Sequence, residues 1–403
     1  MIRAAGGRSA ESLRRCVGDV GAFLDATFGR RPHVHRAEDG FGDLLALADV
    51  DRILATMSLR HPAFRLVREG RPLDRRSYTR SGTIGGVRVH DLIDVGRAIA
   101  LFEDGATIVL QGLHRYWEPV TRFCRDLEAT LTHPVQANAY VTPPVATGLR
   151  VHHDTHDVFA LQSHGSKRWV VHEPAVASPL ADQHWEAGRH VAGEPTMELD
   201  LEPGDCLYLP RGTPHAAQTV DAPSIHLTIG IRAFTWHDVL GEAVAAAADE
   251  VAFRESLPVG FASAPDAFAL EVARRLKEAA TWFGEADARA IAERMAARFR
   301  SSRAPLLDGQ LAEVLSLDDI DDATVVRCRP DAVLRLVVTD DRLTLELPDR
   351  KVTMPASVEE PVRRLLGGNP VAIDELDELD EESRRVLVRR LVREGALVRS
   401  RPA

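Results

Sequence analysis

The chain has 403 residues, of which 45% are hydrophobic, and its 60 acidic and 50 basic residues leave a formal net charge of −10. This length predicts more than one domain, and the apolar fraction excludes a wholly disordered chain. The acidic balance argues against a protein that coats nucleic acid or an anionic membrane. No stretch has the length and apolarity of a bilayer span, no signal-peptide core is present, and the four cysteines form no CxxC pair, so we expect a cytoplasmic protein.

The first third of the chain mixes helical and extended patterns. Residues 44–54 are apolar at helical spacing, and residues 107–112 have the composition of a buried strand that ends at Gly112. Residues 117–131 predict an amphipathic helix, because apolar side chains recur there every three or four positions.

Short strands separated by turn residues dominate the chain from residue 135 to residue 233. The stretch VQANAYVTPP ends in two prolines that stop a strand, and DVFALQSHGSKRWVVHEP predicts two strands around a turn at 163–165. The stretches CLYLP and SIHLTIGI are further strands. Many short strands at this density favour an antiparallel sandwich or barrel.

The pattern becomes helical at Thr235, which is a suitable N-cap. Three helices follow in succession. A module this small leaves apolar side chains exposed to water, so we expect it to bury them against a second copy of the chain. Beyond residue 305 a hairpin around Asp340-Asp341 precedes a short helix and a longer one, with Asp380 as its N-cap and Gly395 just past its end. Helices and short strands in about 100 residues predict a winged-helix-like domain.

Histidines concentrate in the strand-rich region, where 11 of the 16 lie between His133 and His237. Within Val151-His152-His153-Asp154, alternation on a strand places His152 and Asp154 on one face and His153 on the other. An imidazole and a carboxylate side by side are two thirds of the facial triad that holds a non-haem Fe(II).

The third ligand is predicted by a second pattern. Residues 204–215, GDCLYLPRGTPH, match the cupin pattern G-x5-P-x-G-x2-H, which turns one strand into the next and points its histidine, His215, into a barrel. His156 shares a face with the first ligand and is the main rival, while His184 and Glu186 form a competing HxE pair. Neutral imidazoles and an ionised carboxylate are required, so metal binding should weaken in acid.

Four segments resemble the Jumonji-C oxygenases of the ribosomal oxygenase group: HPVQANAYVTPP, GLRVHHDTHDVFALQSHGSKRW, YLPRGTPHAA and SIHLTIG. The resemblance covers residues 105–235 in the core, and the order of the segments that follow is also that group's order. It implies an α+β protein with a double-stranded β-helix (jelly-roll, cupin type) in domain 1–235, a helical dimerisation domain over 236–304 and a winged-helix domain over 305–403.

The resemblance also implies the chemistry of a dioxygenase that uses Fe(II), 2-oxoglutarate and O₂ to hydroxylate a protein side chain. The favoured target is the β-carbon of Arg or His in a ribosomal protein. The group's iron ligands map onto His152, Asp154 and His215. Its cosubstrate contacts map onto Asn138, Tyr140, Lys167 and Ser224, with Thr228 as a further candidate.

The rarest residue types fall at these cosubstrate positions. Lys167 is one of only three lysines and Asn138 one of only two asparagines. We expect Lys167 to pair with the distal carboxylate of 2-oxoglutarate, and Asn138 and Tyr140 to share a face with Gln136. His153 occupies the position between the first two ligands, which is often aromatic in the group. Because this side chain should face away from the metal, we expect the difference to have little effect on the site.

Three other functions stay open. The chain could hydroxylate the precursor of a peptide natural product, bind metal as a cupin without activity, or bind DNA through its arginine-rich last helix. Residues 301–403 hold 16 basic and 21 acidic residues, so their net charge of −5 argues against DNA. We therefore expect a protein or peptide substrate, a homodimer, no membrane partner and no nucleic acid.

Overall fold

The computed structural model describes residues 10–144, 146, 150–174, 176–219, 221–330 and 332–400. Gly148 and Leu149, in one of the segments quoted above, lie outside the described residues. The chain forms two compact units, residues 1–233 and 234–403. The division of the second unit into a helical and a winged-helix domain stays a prediction.

The strands of the first unit are β1 (His33–Arg36), β2 (Phe64–Arg68), β3 (Arg71–Pro72), β4 (Thr79–Ile84), β5 (Val87–Ile93), β6 (Thr107–Leu110), β7 (Val135–Thr142), β8 (Asp157–His164), β9 (Lys167–His172), β10 (Pro195–Leu201), β11 (Asp205–Leu209), β12 (His215–Gln218) and β13 (Ser224–Ile231). Eight form one antiparallel sheet in the order β1-β11-β8-β13-β7-β6-β2-β3, and three form a smaller sheet in the order β10-β9-β12. β4 and β5 form a separate hairpin.

The chain changes sheet at the turn predicted between β8 and β9. β8 pairs with β11 and β13 in the larger sheet, whereas β9 pairs with β10 and β12 in the smaller one. Gly165 makes this turn at φ +59°, where a Cβ would lie 1.9 Å from the Pro223 carbonyl oxygen. Apolar side chains of both sheets, Leu207 and Trp169 among them, share one core, as a jelly roll requires.

Five helices accompany these sheets: α1 (Glu11–Val17), α2 (Val20–Ala26), α3 (Leu47–Thr56), α4 (Val95–Glu103) and α5 (Glu118–Leu131). α5 is the amphipathic helix expected from the sequence, and it buries Val120, Phe123, Leu127 and Leu131 in the same core as the larger sheet. β6 is fully buried along its length, as predicted.

The second unit contains seven helices and six strands among the residues described. They are α6 (Trp236–Ala247), α7 (Val251–Arg254), α8 (Pro265–Glu285), α9 (Ala288–Ser301), α10 (Gln310–Leu315), β14 (Val325–Cys328), β15 (Arg335–Val338), β16 (Arg342–Glu346), β17 (Lys351–Pro355), α11 (Glu359–Leu365), β18 (Val371–Ala372), α12 (Glu381–Arg393) and β19 (Leu397–Arg399). β15 and β16 form the expected hairpin, and β17 extends it.

The caps predicted for the second unit are confirmed. The Thr235 hydroxyl accepts from the Asp238 backbone N–H at 3.3 Å, and the Asp380 carboxylate accepts from the Ser383 N–H at 2.8 Å. Gly395 takes the left-handed conformation at φ +80°, which favours glycine after a helix. Of the helices described, none combines the length and apolarity needed to cross a bilayer.

Candidate metal centre and adjoining cavity

The structure brings the three predicted metal ligands together. The ligand atoms of His152, Asp154 and His215 all lie within 4.8 Å of one another, and no other such group occurs in the described ranges. Asp154 Oδ2 lies 3.6 Å from His215 Nε2. Two imidazoles and one carboxylate are the donor set of a non-haem Fe(II) site.

Backbone carbonyls orient both imidazoles. His152 Nδ1 lies 2.8 Å from the Arg150 carbonyl oxygen, and His215 Nδ1 lies 3.0 Å from the Thr213 carbonyl oxygen. A carbonyl only accepts, so each Nδ1 carries the proton and each Nε2 keeps its lone pair. This is the tautomer that a metal ligand needs.

The expectation that His152 and Asp154 lie on a strand was wrong. The segment precedes β8, and His152 forms one isolated antiparallel bridge, with His215. Two hydrogen bonds close it, from His215 N to His152 O at 2.8 Å and from His152 N to His215 O at 3.2 Å. The ligand segment therefore depends on the cupin turn for its position, since a regular ladder does not hold it.

The cupin turn supplies that position through its glycine. The Gly212 backbone N–H donates to the Asp154 carbonyl oxygen at 2.9 Å. Gly212 has φ +84°, and a Cβ there would lie 2.0 Å from the Val176 carbonyl oxygen, so the pattern requires glycine for space as well as conformation. Asp157 accepts from the Arg211 N–H at 2.8 Å and fixes the same turn to the start of β8.

The charges at the centre suit a divalent cation. Burial, with the nearby His152, lowers the pKa of His215 to about 4, so this imidazole is neutral at physiological pH. Burial alone would raise the pKa of Asp154, but the surrounding imidazoles, His215 foremost, hold it below its usual range. A neutral histidine and an ionised carboxylate are the protonation states required for binding.

A cavity between the two sheets opens from this centre, and the three ligands form part of its wall. Lys167 on β9 lines it and is only 2% exposed. Its ammonium has one hydrogen bond, to Thr142 Oγ1 at 3.0 Å, and among the described residues it has no carboxylate partner. Burial lowers the pKa of Lys167 to about 7. A buried lysine without an anion marks a place for an anionic ligand.

Most of the predicted cosubstrate residues line this cavity. Asn138, Tyr140 and Thr228 all face it. Asn138 is a buried strand residue whose Oδ1 accepts from the Gly112 N–H at 2.9 Å. Ser224 differs: it is fully buried, its hydroxyl accepts from Gln162 Nε2 at 2.9 Å, and it is not part of the cavity wall.

The rival ligands are not brought to the centre. His156 lines the cavity but does not belong to the ligand group. His184 and Glu186 are exposed on the loop between β9 and β10, where Glu186 pairs with Arg189. Sequence reasoning did not select His226, which lies in the wall and is 4% exposed. The only feature of the sequence that could have indicated His226 is its alternation with Thr228 along SIHLTIGI, which places both side chains on one face of the strand.

His153 points away from the metal centre, as the alternation predicted. It is 3% exposed, and its Nε2 donates to the Gln183 carbonyl oxygen at 3.1 Å. Its ring lies 5.3 Å from the ring of Trp185 and 5.5 Å from that of His190. The loop between β9 and β10 thus packs against the back of the ligand segment.

The model of the JmjC domain matches residues 113–239. Residues 113–239 therefore carry a JmjC domain. This segment holds all three of the clustered ligands and the buried lysine. The resemblance to the ribosomal oxygenase group is likewise confirmed, because curated members of that group match the chain. Ribosomal oxygenase 2 of Mus musculus is 37% identical over 161 residues, which cover 38% of this chain and 34% of the relative.

Two further relatives extend the match. Ribosomal oxygenase 1 of Homo sapiens is 32% identical over 234 residues, covering 54% of this chain and 34% of the relative. The bifunctional lysine-specific demethylase and histidyl-hydroxylase NO66 of Dictyostelium discoideum is 29% identical over 265 residues, covering 61% and 51%. The chain spans about a third of the length of the first curated relatives it matches.

A solved structure shares the fold. The Escherichia coli ribosomal oxygenase YcfD, in complex with cobalt and 2-oxoglutarate, superimposes with a TM-score of 0.52 at 16% identity, covering 94% of this chain and 98% of that one. At this identity the likeness shows the fold alone, a mixed α/β architecture with a cupin-type JmjC core. The donor set and the buried lysine described above fit a metal ion and an anionic cosubstrate on their own chemistry.

Proposed function

We propose that this protein is an Fe(II)- and 2-oxoglutarate-dependent dioxygenase that hydroxylates a side chain of a protein substrate. The observation that carries the proposal is a single cavity that joins a His-Asp-His group to a buried lysine without a carboxylate partner among the described residues. A passive metal-binding cupin has no use for that lysine, because burying an unpaired cation is costly. The JmjC domain and the matched oxygenases support the same conclusion.

His152, Asp154 and His215 would hold the iron. When bound, Fe(II) supplies the redox chemistry that couples reduction of O₂ and decarboxylation of 2-oxoglutarate to hydroxylation of a C–H bond. The protein's own task is to arrange the reactants. Each Nε2 faces inward because a carbonyl holds the opposite nitrogen, and the Asp154 carboxylate is ionised.

The other end of the cavity would hold the cosubstrate. Lys167 on β9 would bind its distal carboxylate, and Asn138 and Tyr140 on β7 would border its length. The pKa of Tyr140 is raised to about 12, chiefly by burial, so its phenol stays protonated and can donate. Apolar wall residues such as Val158 and Trp169 exclude water from the space between these groups. Contact of Ser224 with the cosubstrate stays a prediction, since Ser224 is fully buried and is not part of the cavity wall.

We propose a ribosomal protein as the substrate, with hydroxylation at the β-carbon of Arg or His. The names of the matched oxygenases, including a histidyl-hydroxylase, support this class of target. The arginines of α12 support a protein rather than DNA as partner. Arg385 pairs with Asp322 at 2.9 Å, Arg390 pairs with Glu394 at 2.8 Å, and Arg389 donates to the Ile320 carbonyl oxygen.

We also propose that the helical segment forms a homodimer contact. Trp236, Leu240 and Val244 lie on one face of α6 and are 82%, 62% and 60% exposed. Such a stripe is unfavourable in water and suits a partner helix. Leu240→Glu should yield a monomer in light scattering, while Ala245→Glu, on a different face, should not. A monomeric wild-type protein would contradict the proposal.

The activity is tested with purified protein and an extract of ribosomal proteins from cells that lack the gene. We expect succinate to form only when Fe(II) and 2-oxoglutarate are both present, and one ribosomal protein to gain 16 Da in intact mass. His152→Ala should abolish both signals. His164→Ala, which changes an exposed histidine at the end of β8, should retain them. Equal turnover by wild type and His152→Ala would refute the oxygenase proposal.

A further inference from the structure

The turn between β2 and β3 lies against the segment that carries the first metal ligand. Glu69 and Gly70 form this turn, and the Glu69 carbonyl oxygen accepts from Arg150 Nε at 3.0 Å. A Cβ built on Gly70 would lie 2.8 Å from the Arg150 backbone nitrogen and 2.6 Å from its Cγ. The backbone at Arg150 therefore crosses the turn with no space for a side chain between them.

The turn has a demanding conformation. Glu69 has φ +49° and Gly70 has φ +74°, and positive φ at both positions is typical of the tight two-residue turns that join antiparallel strands. A glutamate in the left-handed region is strained, and the residue after it must be glycine for space as well as conformation. The turn thus keeps a defined shape at the point where Arg150 contacts it.

Arg150 connects this turn to the metal centre. Its carbonyl oxygen lies 2.8 Å from His152 Nδ1 and accepts the proton of that nitrogen. The two backbone hydrogen bonds between His152 and His215 fix the main chain of the ligand, but they leave its ring free to rotate about the side-chain torsions. The Arg150 carbonyl therefore determines which ring nitrogen faces the metal.

The same hairpin reaches the cavity. Val67 on β2, two residues before Glu69, pairs with Thr107 of β6, and both residues lie in the cavity wall. This end of the larger sheet therefore supplies part of the wall and, through Arg150, also supports the His152 ring.

We propose that Arg150, held by the turn of Glu69 and Gly70, is a positioning residue that orients the His152 imidazole toward the metal. Arg150 acts through its Nε donor and its carbonyl oxygen, and its positive charge has no part in this role. The inference rests on the proposed function in that it takes His152 as a metal ligand. Loss of the contact should weaken metal binding and alter the geometry of the site while the chain keeps its fold.

Two variants of Arg150 separate the hydrogen bond from the charge. Arg150→Gln places an amide N–H at the position of Nε, and Arg150→Met keeps the length without a donor. The full chain is titrated with Co(II), and the Kd and the visible absorption spectrum of the saturated protein are measured. We expect Arg150→Met to raise the Kd about 10-fold and to shift the spectrum, because the partners of metal-binding histidines contribute about 10- to 100-fold in affinity. Arg150→Gln should stay within about threefold of wild type and keep its spectrum.

The turn itself offers a matched pair of glycine variants. Gly86 is the second residue of the turn between β4 and β5, with φ +81° and no described atom within 4 Å of a Cβ, whereas Gly70 has Arg150 there. Gly70→Ala and Gly86→Ala should both lower the melting temperature, but only Gly70→Ala should raise the Kd for Co(II), by about 10-fold, and shift the spectrum. Arg88→Met, at an exposed arginine of β5, should bind Co(II) as wild type does. If Gly70→Ala does not fold, the Arg150 variants decide.

His152→Ala, which removes the ligand itself, separates this inference from the proposed function. If His152→Ala loses Co(II) while Arg150→Met binds and absorbs as wild type does, the role of Arg150 is wrong and the proposed function stands. If Arg150→Gln is as impaired as Arg150→Met, the charge acts and not the donor, and the inference is again wrong. If His152→Ala binds Co(II) as tightly as wild type, the metal centre is wrongly assigned and both proposals fail.

Discussion

Replacing Lys167 by Met examines the buried cation on which the cosubstrate proposal depends. Lys167 is 2% exposed, and burial lowers its pKa from 10.5 to about 7. A carboxylate bound next to the ammonium would restore the charged form, so loss of the pair should weaken 2-oxoglutarate binding by about 100-fold or more. Lys277→Met, at an exposed helical site, should leave the affinity unchanged.

The lowered pKa of Lys167 also predicts that the protein takes up a proton when 2-oxoglutarate binds. At pH 8 a lysine with a pKa of about 7 is about 90% neutral, so binding a carboxylate should draw in about 0.9 proton. Calorimetry in two buffers of different ionisation enthalpy measures this number directly. Lys167→Arg should bind without proton uptake, because a guanidinium is charged throughout. If the wild type takes up no proton, or if Lys167→Met binds within about threefold of wild type, the reasoning is refuted.

The free energy of unfolding of the ligand-free protein should also depend on the protonation of Lys167. Between pH 7 and pH 10.5 the unfolded chain binds more protons at Lys167 than the folded chain, so the free energy of unfolding rises with pH across that window. Below pH 7 the full penalty of the buried charge is present. A difference of about 3.5 pKa units corresponds to an upper bound of about 5 kcal/mol. Lys167→Met should therefore melt at a higher temperature than wild type at pH 6, and the difference should shrink by pH 10.

Three further perturbations test the metal centre and its supports. Asp154→Asn keeps the shape of the ligand but removes its charge, so Mn(II) measured by electron paramagnetic resonance should no longer be retained; retention at the wild-type level would contradict the assignment. Gly212→Ala should cost more than about 3 kcal/mol in denaturant unfolding, because conformation and space both oppose a Cβ there, whereas Gly188→Ala, also at positive φ but with open space, should cost about 1 kcal/mol. His153→Ala should weaken Mn(II) binding about 10-fold by loosening the ligand segment, and an unchanged Kd would show that the contact with Trp185 plays no part in positioning.

Much of the site was predictable because its patterns are local. The cupin pattern ending at His215 and the His152-x-Asp154 pair are short, and alternation alone placed His153 on the opposite face. The prediction that the ligand segment is a strand was wrong, because the geometry of this segment depends on contacts with distant residues. Its geometry comes from one bridge to His215 and from the Gly212 turn, which lies nearly 60 residues further along the chain.

The residues predicted to contact the cosubstrate show what local sequence patterns cannot predict. Asn138, Tyr140 and Lys167 line the cavity as expected, but Ser224 is fully buried and is not part of its wall. His226 was not selected because the sequence does not reveal that its side chain is buried in the cavity wall.

Composition, periodicity and spacing by themselves determined the short strands, the amphipathic helix α5, the caps at Thr235 and Asp380, and the identity of the metal-ligand candidates. These features depend on contacts within a few residues, which the order of side chains specifies. Only the tertiary structure decided which face of which sheet shares the cavity, that Lys167 is buried without a carboxylate among the described residues, and that His226 lies in the same cavity wall. The physical reason is that burial and charge pairing depend on strands brought together from distant parts of the chain, here β7, β9 and β13.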